Sequence, residues 1–180
     1  DTDGLTFESA YGMLCMKLAF AFQDYQFLLD DDAISDDDKG IFKRILGRTA
    51  SMDETKSCFL LLTRMLEIHF KKSAVVILDE YDVPIAKASS NGYYSQMLDV
   101  MRAMMSTTLK DNTSLDFAVV TGCLKIAKES IFTGTNNFVS DTILSPRLSE
   151  SFGFTQADVD QMLNDAGLES QSAEIKAWYD

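Results

Sequence analysis

The chain has little histidine, little cysteine, a deficit of positive charge and no long apolar run. One histidine, His69, excludes a His–His metal site. It closes a helical stretch beside Lys71 and Lys72, which favours a structural or surface role over a Cys–His or Ser–His nucleophile. The three cysteines, Cys15, Cys58 and Cys123, are odd in number, scattered and free of any CxxC pair. That excludes a zinc or dithiol redox motif and fits reduced thiols in a cytoplasmic protein. Lys and Arg number 16 against 28 Asp and Glu, a net charge of −12. Such a surface repels nucleic-acid backbones and anionic membranes, and no arginine-rich stripe offsets it. No apolar run approaches the roughly 20 residues of a membrane span. No signal peptide, internal repeat or low-complexity tract is evident. The chain starts at Asp1 without Met and stops directly after Trp178-Tyr179-Asp180, so it is expected to be part of a longer polypeptide.

What is present is a length of 180 residues, enough for one domain with a real core. Ala74-Val75-Val76-Ile77-Leu78 is an unbroken apolar run that enters Asp79-Glu80-Tyr81-Asp82. A short continuous run of this kind predicts a strand buried on both faces, as in parallel sheets. Charges cannot sit inside such a strand, so Asp79 and Glu80 belong at its carboxyl end, the edge where open α/β sheets bind ligands. The pattern has the form of a Walker B motif: one carboxylate for Mg²⁺ and the next for the attacking water. The competing reading is a strand that merely ends in solvated acids.

Around this strand the periodicity predicts helices. Steps of three and four through Phe7, Tyr11, Leu14, Leu18, Phe22, Tyr25 and Leu29 predict a helix over 6–29, with Thr6 as N-cap. Asp30 to Asp38 holds six aspartates in nine residues. An EF-hand loop fails there, because its sixth and twelfth positions are Ser35 and Ile41, or Asp37 and Lys43, depending on the start. A solvated acidic loop is expected, with a short helix over 39–46 after it. Ser51-Met52-Asp53-Glu54 is a capping box for a helix with Phe59, Leu62, Leu66 and Phe70 on one face. Beyond Asp82, Pro84 is expected to break regular structure and 89–92 to form a loop. A helix over 93–109 carries a Met stripe that reads as core packing. Phe117-Ala118-Val119-Val120-Thr121-Gly122 predicts a second strand, parallel to the first, with Thr121 at the same edge as Asp79 and Glu80. Residues 125–138 predict a short helix and an exposed loop. Thr155 to Asp158 is a weaker capping box for a helix that ends at Gly167, and 172–178 predicts a last short helix.

Several segments in order resemble one family. They are Ile77-Leu78-Asp79-Glu80-Tyr81-Asp82-Val83-Pro84, Leu109-Lys110-Asp111-Asn112, Phe117 to Gly122, Lys125 to Phe132, Thr133-Gly134-Thr135-Asn136-Asn137, Phe152-Gly153-Phe154-Thr155 and Trp178-Tyr179-Asp180. The sequence resembles the AAA-ATPase-like family of bacterial P-loop NTPases, which are often joined to a PD-(D/E)XK nuclease-like domain. The resemblance implies an α/β fold, a P-loop NTPase-like parallel sheet with many flanking helices. Only the second half of that core is expected, as a single partial domain over 1–180. Its parts are a helical region over 6–72, a strand–helix–strand core over 73–123 and a C-terminal helical region over 124–180. It implies ATP and Mg²⁺ as ligands of the intact protein, Asp79 as metal ligand, Glu80 as water activator and Thr121 as sensor. Asp79, Glu80 and Asp82 are the candidate cofactor-binding acids.

The chain departs from the family in three places. No Gly-Lys-Ser/Thr phosphate loop occurs, and the glycines nearest to one, Gly40 and Gly47, lack that sequence. Thr135 and Arg147-Leu148 stand where an aliphatic and an aromatic are usual. Arg147 reads as a surface residue, with a phosphate partner as the competing reading. The resemblance leaves two functions open: an ATPase in the intact parent, or a degenerate scaffold that binds a protein partner without turnover. A nuclease reading is weakest, because no Glu-x-Lys succeeds a second strand.

Overall fold

Thr6 starts the first helix. Its hydroxyl accepts the N–H of Ser9 at 3.3 Å, and Glu8 lies in the first turn, where the positive end of the helix dipole favours an acid. Helix α1 runs Phe7–Gln23, and the chain then tightens into a 3₁₀ turn, Gln26–Asp30, instead of continuing to Leu29. The amide of Gln26 donates to the Gln23 carbonyl, closing an orphan acceptor at the helix end. The tighter turn carries Leu28 into full burial. A three-to-four residue spacing does not distinguish one 3₁₀ turn from one α turn, which is why the sequence pattern runs through it.

The computed structural model describes residues 4–110, 112–122, 139–142, 145–148, 150–151 and 153–179. The helix and loop expected over 125–138, Cys123, Asp111 and Phe152 lie outside the described residues. The chain divides into two compact units, with residues up to 122 in the first and those from 139 in the second.

In the first unit the acidic run is mostly structure. Helix α2 spans Asp36–Leu46, three residues longer at its start than the pattern predicts. Ser35 caps it by accepting the N–H of Asp38, and Asp36, Asp37 and Asp38 occupy the first turn against the helix dipole. Asp38 also pairs with Arg64, and Asp31 pairs with His69 at 2.8 Å. His69 therefore has the structural role expected of it, packed between Phe27 and Phe70.

The capping box at Ser51 and Glu54 forms as expected, but its helix α3 is short, Met52–Lys56. Ser57 interrupts it with non-helical backbone, and α4, Cys58–Phe70, restarts in a new phase. Of the expected face only Leu62 is buried; the phase reset turns Cys58, Leu61 and Met65 inward beside it, while Phe59 and Leu66 are half-buried and Phe70 is exposed. Glu54 also receives three hydrogen bonds from Arg44 and one from Ser51 N–H, which together lower the pKa of its carboxyl to about 2. A carboxylate held below its ordinary value adds stability above that value. The contribution is lost as pH falls from about 4.5 to about 2. Thermal unfolding monitored between pH 5 and 2 should lose stability across this window, and Glu54→Gln should flatten that part of the profile.

Strand β1, Ala74–Leu78, pairs in parallel with β2, Leu115–Val120, through partners such as Ile77↔Val119 and Leu78↔Val120. Two helices link them: α5, Val83–Asn91, and α6, Tyr94–Leu109. The sequence pattern missed α5. Pro84 stands at its first turn, where a missing N–H costs nothing, so it starts a helix where a break was expected. On α6, Met97, Met101, Met104 and Met105 are buried core side chains, as the Met stripe predicts. Phe22 and Phe42 meet with ring centroids 4.9 Å apart and, with Leu28 and Met65, fill the centre. Burying each such side chain contributes about 1.5–3 kcal/mol.

The architecture is thus α/β, a two-stranded parallel sheet with many helices. Among the described residues the strands are covered on one face. Helices α4 and α6 pack on the sheet, while Val75, Ile77, Phe117 and Val119 on the other face are exposed, Ile77 to 72%. Among the described residues no second helical layer reaches that face, which accounts for the departure from two-sided burial.

In the second unit, Thr155 and Asp158 complete the expected capping box of α7, Gln156–Ala166, and Gly167 ends it in the left-handed conformation. The last helix, α8, spans Ser172–Tyr179.

Candidate functional site

The strand stops at Leu78 because the next side chains carry charge, but the backbone pairing continues. Thr121 N–H donates to the Leu78 carbonyl at 2.9 Å, and Tyr81 N–H donates to the Thr121 carbonyl at 3.1 Å. These two bonds hold the acidic turn and the end of β2 in register. Asp79 and Thr121 therefore lie side by side at the carboxyl edge of the sheet. The Thr121 hydroxyl donates to Asp79 Oδ1, which also accepts the N–H of Glu80 at 3.0 Å.

Glu80 occupies left-handed backbone, with φ of +53°. That conformation costs a residue with a side chain about 1–2 kcal/mol. Backbone hydrogen bonds of the turn hold it there: the Glu80 carbonyl accepts Val83 N–H at 3.1 Å, and the Asp82 carbonyl accepts Ile85 and Ala86 N–H. The chain thus bends sharply from β1 into α5, which Ile85 and Ala88 anchor in the core. The bend leaves the Glu80 side chain exposed beside Asp79.

Asp82 goes the other way. It is 3% exposed, beneath the turn. Burial, and then the Asp82 charge, push the Tyr81 phenol above its ordinary value, so Tyr81 stays protonated at neutral pH. Gly122 makes this packing possible. A Cβ there would lie 2.6 Å from Asp82 Oδ1 and 2.7 Å from the Tyr81 ring. Gly122→Ala should therefore force the turn to shift and lower stability by about 1–3 kcal/mol, read as a reduced urea midpoint.

The four sequence candidates thus form one turn and one strand end. Asp79 and Thr121 are in contact, Glu80 is adjacent, and Asp82 lies below. Arg147, in the second unit, is ion-paired with Asp141. Cys58 is no nucleophile, because burial pushes its thiol up to about 12. The sequence pattern carries no sign of the left-handed Glu80 or of the Gly122 contact. The Pro84 helix start was available in it, since proline favours a first turn.

Among the described residues no cluster of three His, Cys, Asp or Glu could hold a metal ion. The donor set at the strand edge is two exposed carboxylates, Asp79 and Glu80, and the Thr121 hydroxyl. That set cannot cage a metal by protein groups alone. It suits Mg²⁺, which keeps several waters and binds through one or two carboxylates plus substrate phosphates.

The fold is α/β, with a carboxylate and a hydroxyl side by side at the carboxyl edge of a parallel strand pair, the edge at which open α/β sheets in general bind ligands. The chain itself belongs to the AAA-ATPase-like family, described as "Predicted AAA-ATPase", whose match runs over residues 17–132. That span includes both strands and Asp79, Glu80, Asp82 and Thr121. An uncharacterized protein in the vnfD 5′ region of Azotobacter chroococcum mcd 1 is 29% identical over 140 residues, 77% of this chain and 27% of that protein. The chain spans about a quarter of that relative's length. No solved structure matches. Among the described residues no helix is long and apolar enough to cross a membrane.

Proposed function

We propose that the chain supplies the metal- and water-handling half of an ATP-hydrolysing site in a longer, cytoplasmic protein. The observation that carries this reading is the Asp79–Thr121 hydrogen bond across the ends of two parallel strands, with Glu80 exposed beside it. In this reading Asp79 holds the water shell of Mg²⁺. A Mg²⁺ ion held there would supply the positive charge that offsets the charge of the phosphates. Glu80 takes the proton of the attacking water, for which an exposed carboxylate next to the metal ligand is suited. Thr121, with its hydroxyl on Asp79, orients that carboxylate and reports its occupancy. Asp82 acts from below as a buried acid that positions the turn. The phosphate cradle comes from elsewhere in the longer protein, because these 180 residues contain no Gly-Lys-Ser/Thr.

The test is steady-state ATP hydrolysis by the full-length protein with and without Mg²⁺. Magnesium-dependent turnover supports the reading. Nucleotide binding without turnover would favour the degenerate scaffold that binds a protein partner.

A further inference from the structure

The first unit also carries a cleft of about 410 Å³ between α1 and the end of α2. Met16, Phe20 and Leu46 give it apolar walls, and Gln23, Gln26 and Arg48 give it polar groups. Phe20 is 62% exposed, an aromatic ring left to solvent on an otherwise amphipathic helix.

Arg48 is the unusual member. It has φ of +57°, the left-handed conformation that ends many helices and that glycine adopts without strain. Its N–H donates to the Ile45 carbonyl, and the N–H groups of Thr49 and Ala50 fold back onto Arg44 at 2.8 and 3.2 Å. Gly47 stands one residue too early to take that position, so an arginine carries the strain. The arginine also lacks an acid. Arg44 pairs with Glu54, Arg64 with Asp38 and Arg147 with Asp141, and Arg102 has a contact of its own. Among the described residues Arg48 makes no ion pair or side-chain hydrogen bond. In a chain with 28 acidic residues this is not for want of carboxylates.

We propose that this cleft binds a small-molecule carboxylate with an aromatic or branched apolar body. The cleft is half open to solvent, so it covers one side of a small ligand and leaves the other in water. The body lies against Met16, Phe20 and Leu46, and the carboxylate meets the planar fork of Arg48, which matches it with two parallel N–H···O bonds. The amides of Gln23 and Gln26 serve polar substituents at the rim. One cation balances one negative charge, so a polyphosphate is not the occupant, and the cleft is independent of the nucleotide reading.

The probe is 2-naphthoate, with the neutral 2-naphthamide as its isostere, each titrated into the full chain by ligand-observed NMR. The acid should bind with a Kd of about 1 mM, the range for ligands of that size, and the amide about tenfold or more weaker. Arg48→Gln and Arg48→Gly should each bring the acid down to the level of the amide. The glycine variant relieves the backbone strain, so it folds at least as well as the parent and a loss of binding cannot be blamed on misfolding. Phe20→Ala should weaken both probes. Equal affinity for acid and amide, unchanged acid binding in Arg48→Gly, or no binding at about 10 mM acid would overturn the proposal.

Discussion

Glu80→Gln in the full-length protein is expected to lower ATP turnover by about 10²–10⁴-fold while nucleotide stays bound. Gln keeps the shape of Glu80 and still forms hydrogen bonds, but it carries no charge to draw a proton from water. The backbone supplies a second variant that separates chemistry from folding. Glu80 sits at φ +53°, so Glu80→Gly removes both the carboxylate and the strain. That variant should be as inactive as Glu80→Gln and at least as stable as the parent. Steady-state rates, nucleotide affinity and thermal midpoints are measured on all three proteins. Near-parental turnover in either variant would remove Glu80 from the water-activating role.

The second large effect concerns the chain alone. Residues 1–180 should not hydrolyse ATP measurably and should bind Mg-ATP only in the millimolar range or weaker. A phosphate loop supplies several backbone N–H groups and a lysine, and none of that sequence is present. Each hydrogen bond to a charged group contributes about 1.5–3 kcal/mol, so three absent bonds cost several orders of magnitude in affinity. The net charge of −12 opposes a nucleotide further. Micromolar affinity by calorimetry would mean that the phosphates find a cradle within these residues after all.

Much of the sheet edge was legible in the sequence because two strong signals converge on it. The apolar runs fix where β1 and β2 lie, and the first charged or hydroxylated residue after each fixes where it ends. Asp79 and Thr121 become neighbours once the strands are parallel, and a helical crossover makes them so. What was not legible depends on backbone detail. The left-handed Glu80 results from the tight bend into α5, and α5 was hidden because Pro84 reads as a breaker unless it is placed at a first turn. Asp82 reads like its acidic neighbours, yet the turn buries it against Gly122 and Tyr81, a contact no spacing rule announces. The aspartates of 30–38 were read as a solvated loop, and Asp30, Asp32, Asp36 and Asp37 are exposed, but the loop was not what the run forms throughout. Here Ser35 and the dipole of α2 recruit three of them into a helix. The inward face of α4 was read correctly only at Leu62, for a local reason too: the single non-helical residue Ser57 resets the helical phase.

The role of the strand edge is tested most directly by the Mg²⁺ dependence of ATP affinity in the full-length protein, compared between the parent and Asp79→Ala. Asp79 offers the exposed carboxylate at the edge that Thr121 orients, so magnesium should tighten ATP binding in the parent and have little effect in Asp79→Ala. If magnesium tightened binding equally in both proteins, Asp79 would not be a ligand of the metal, and the nucleotide site would have to lie elsewhere.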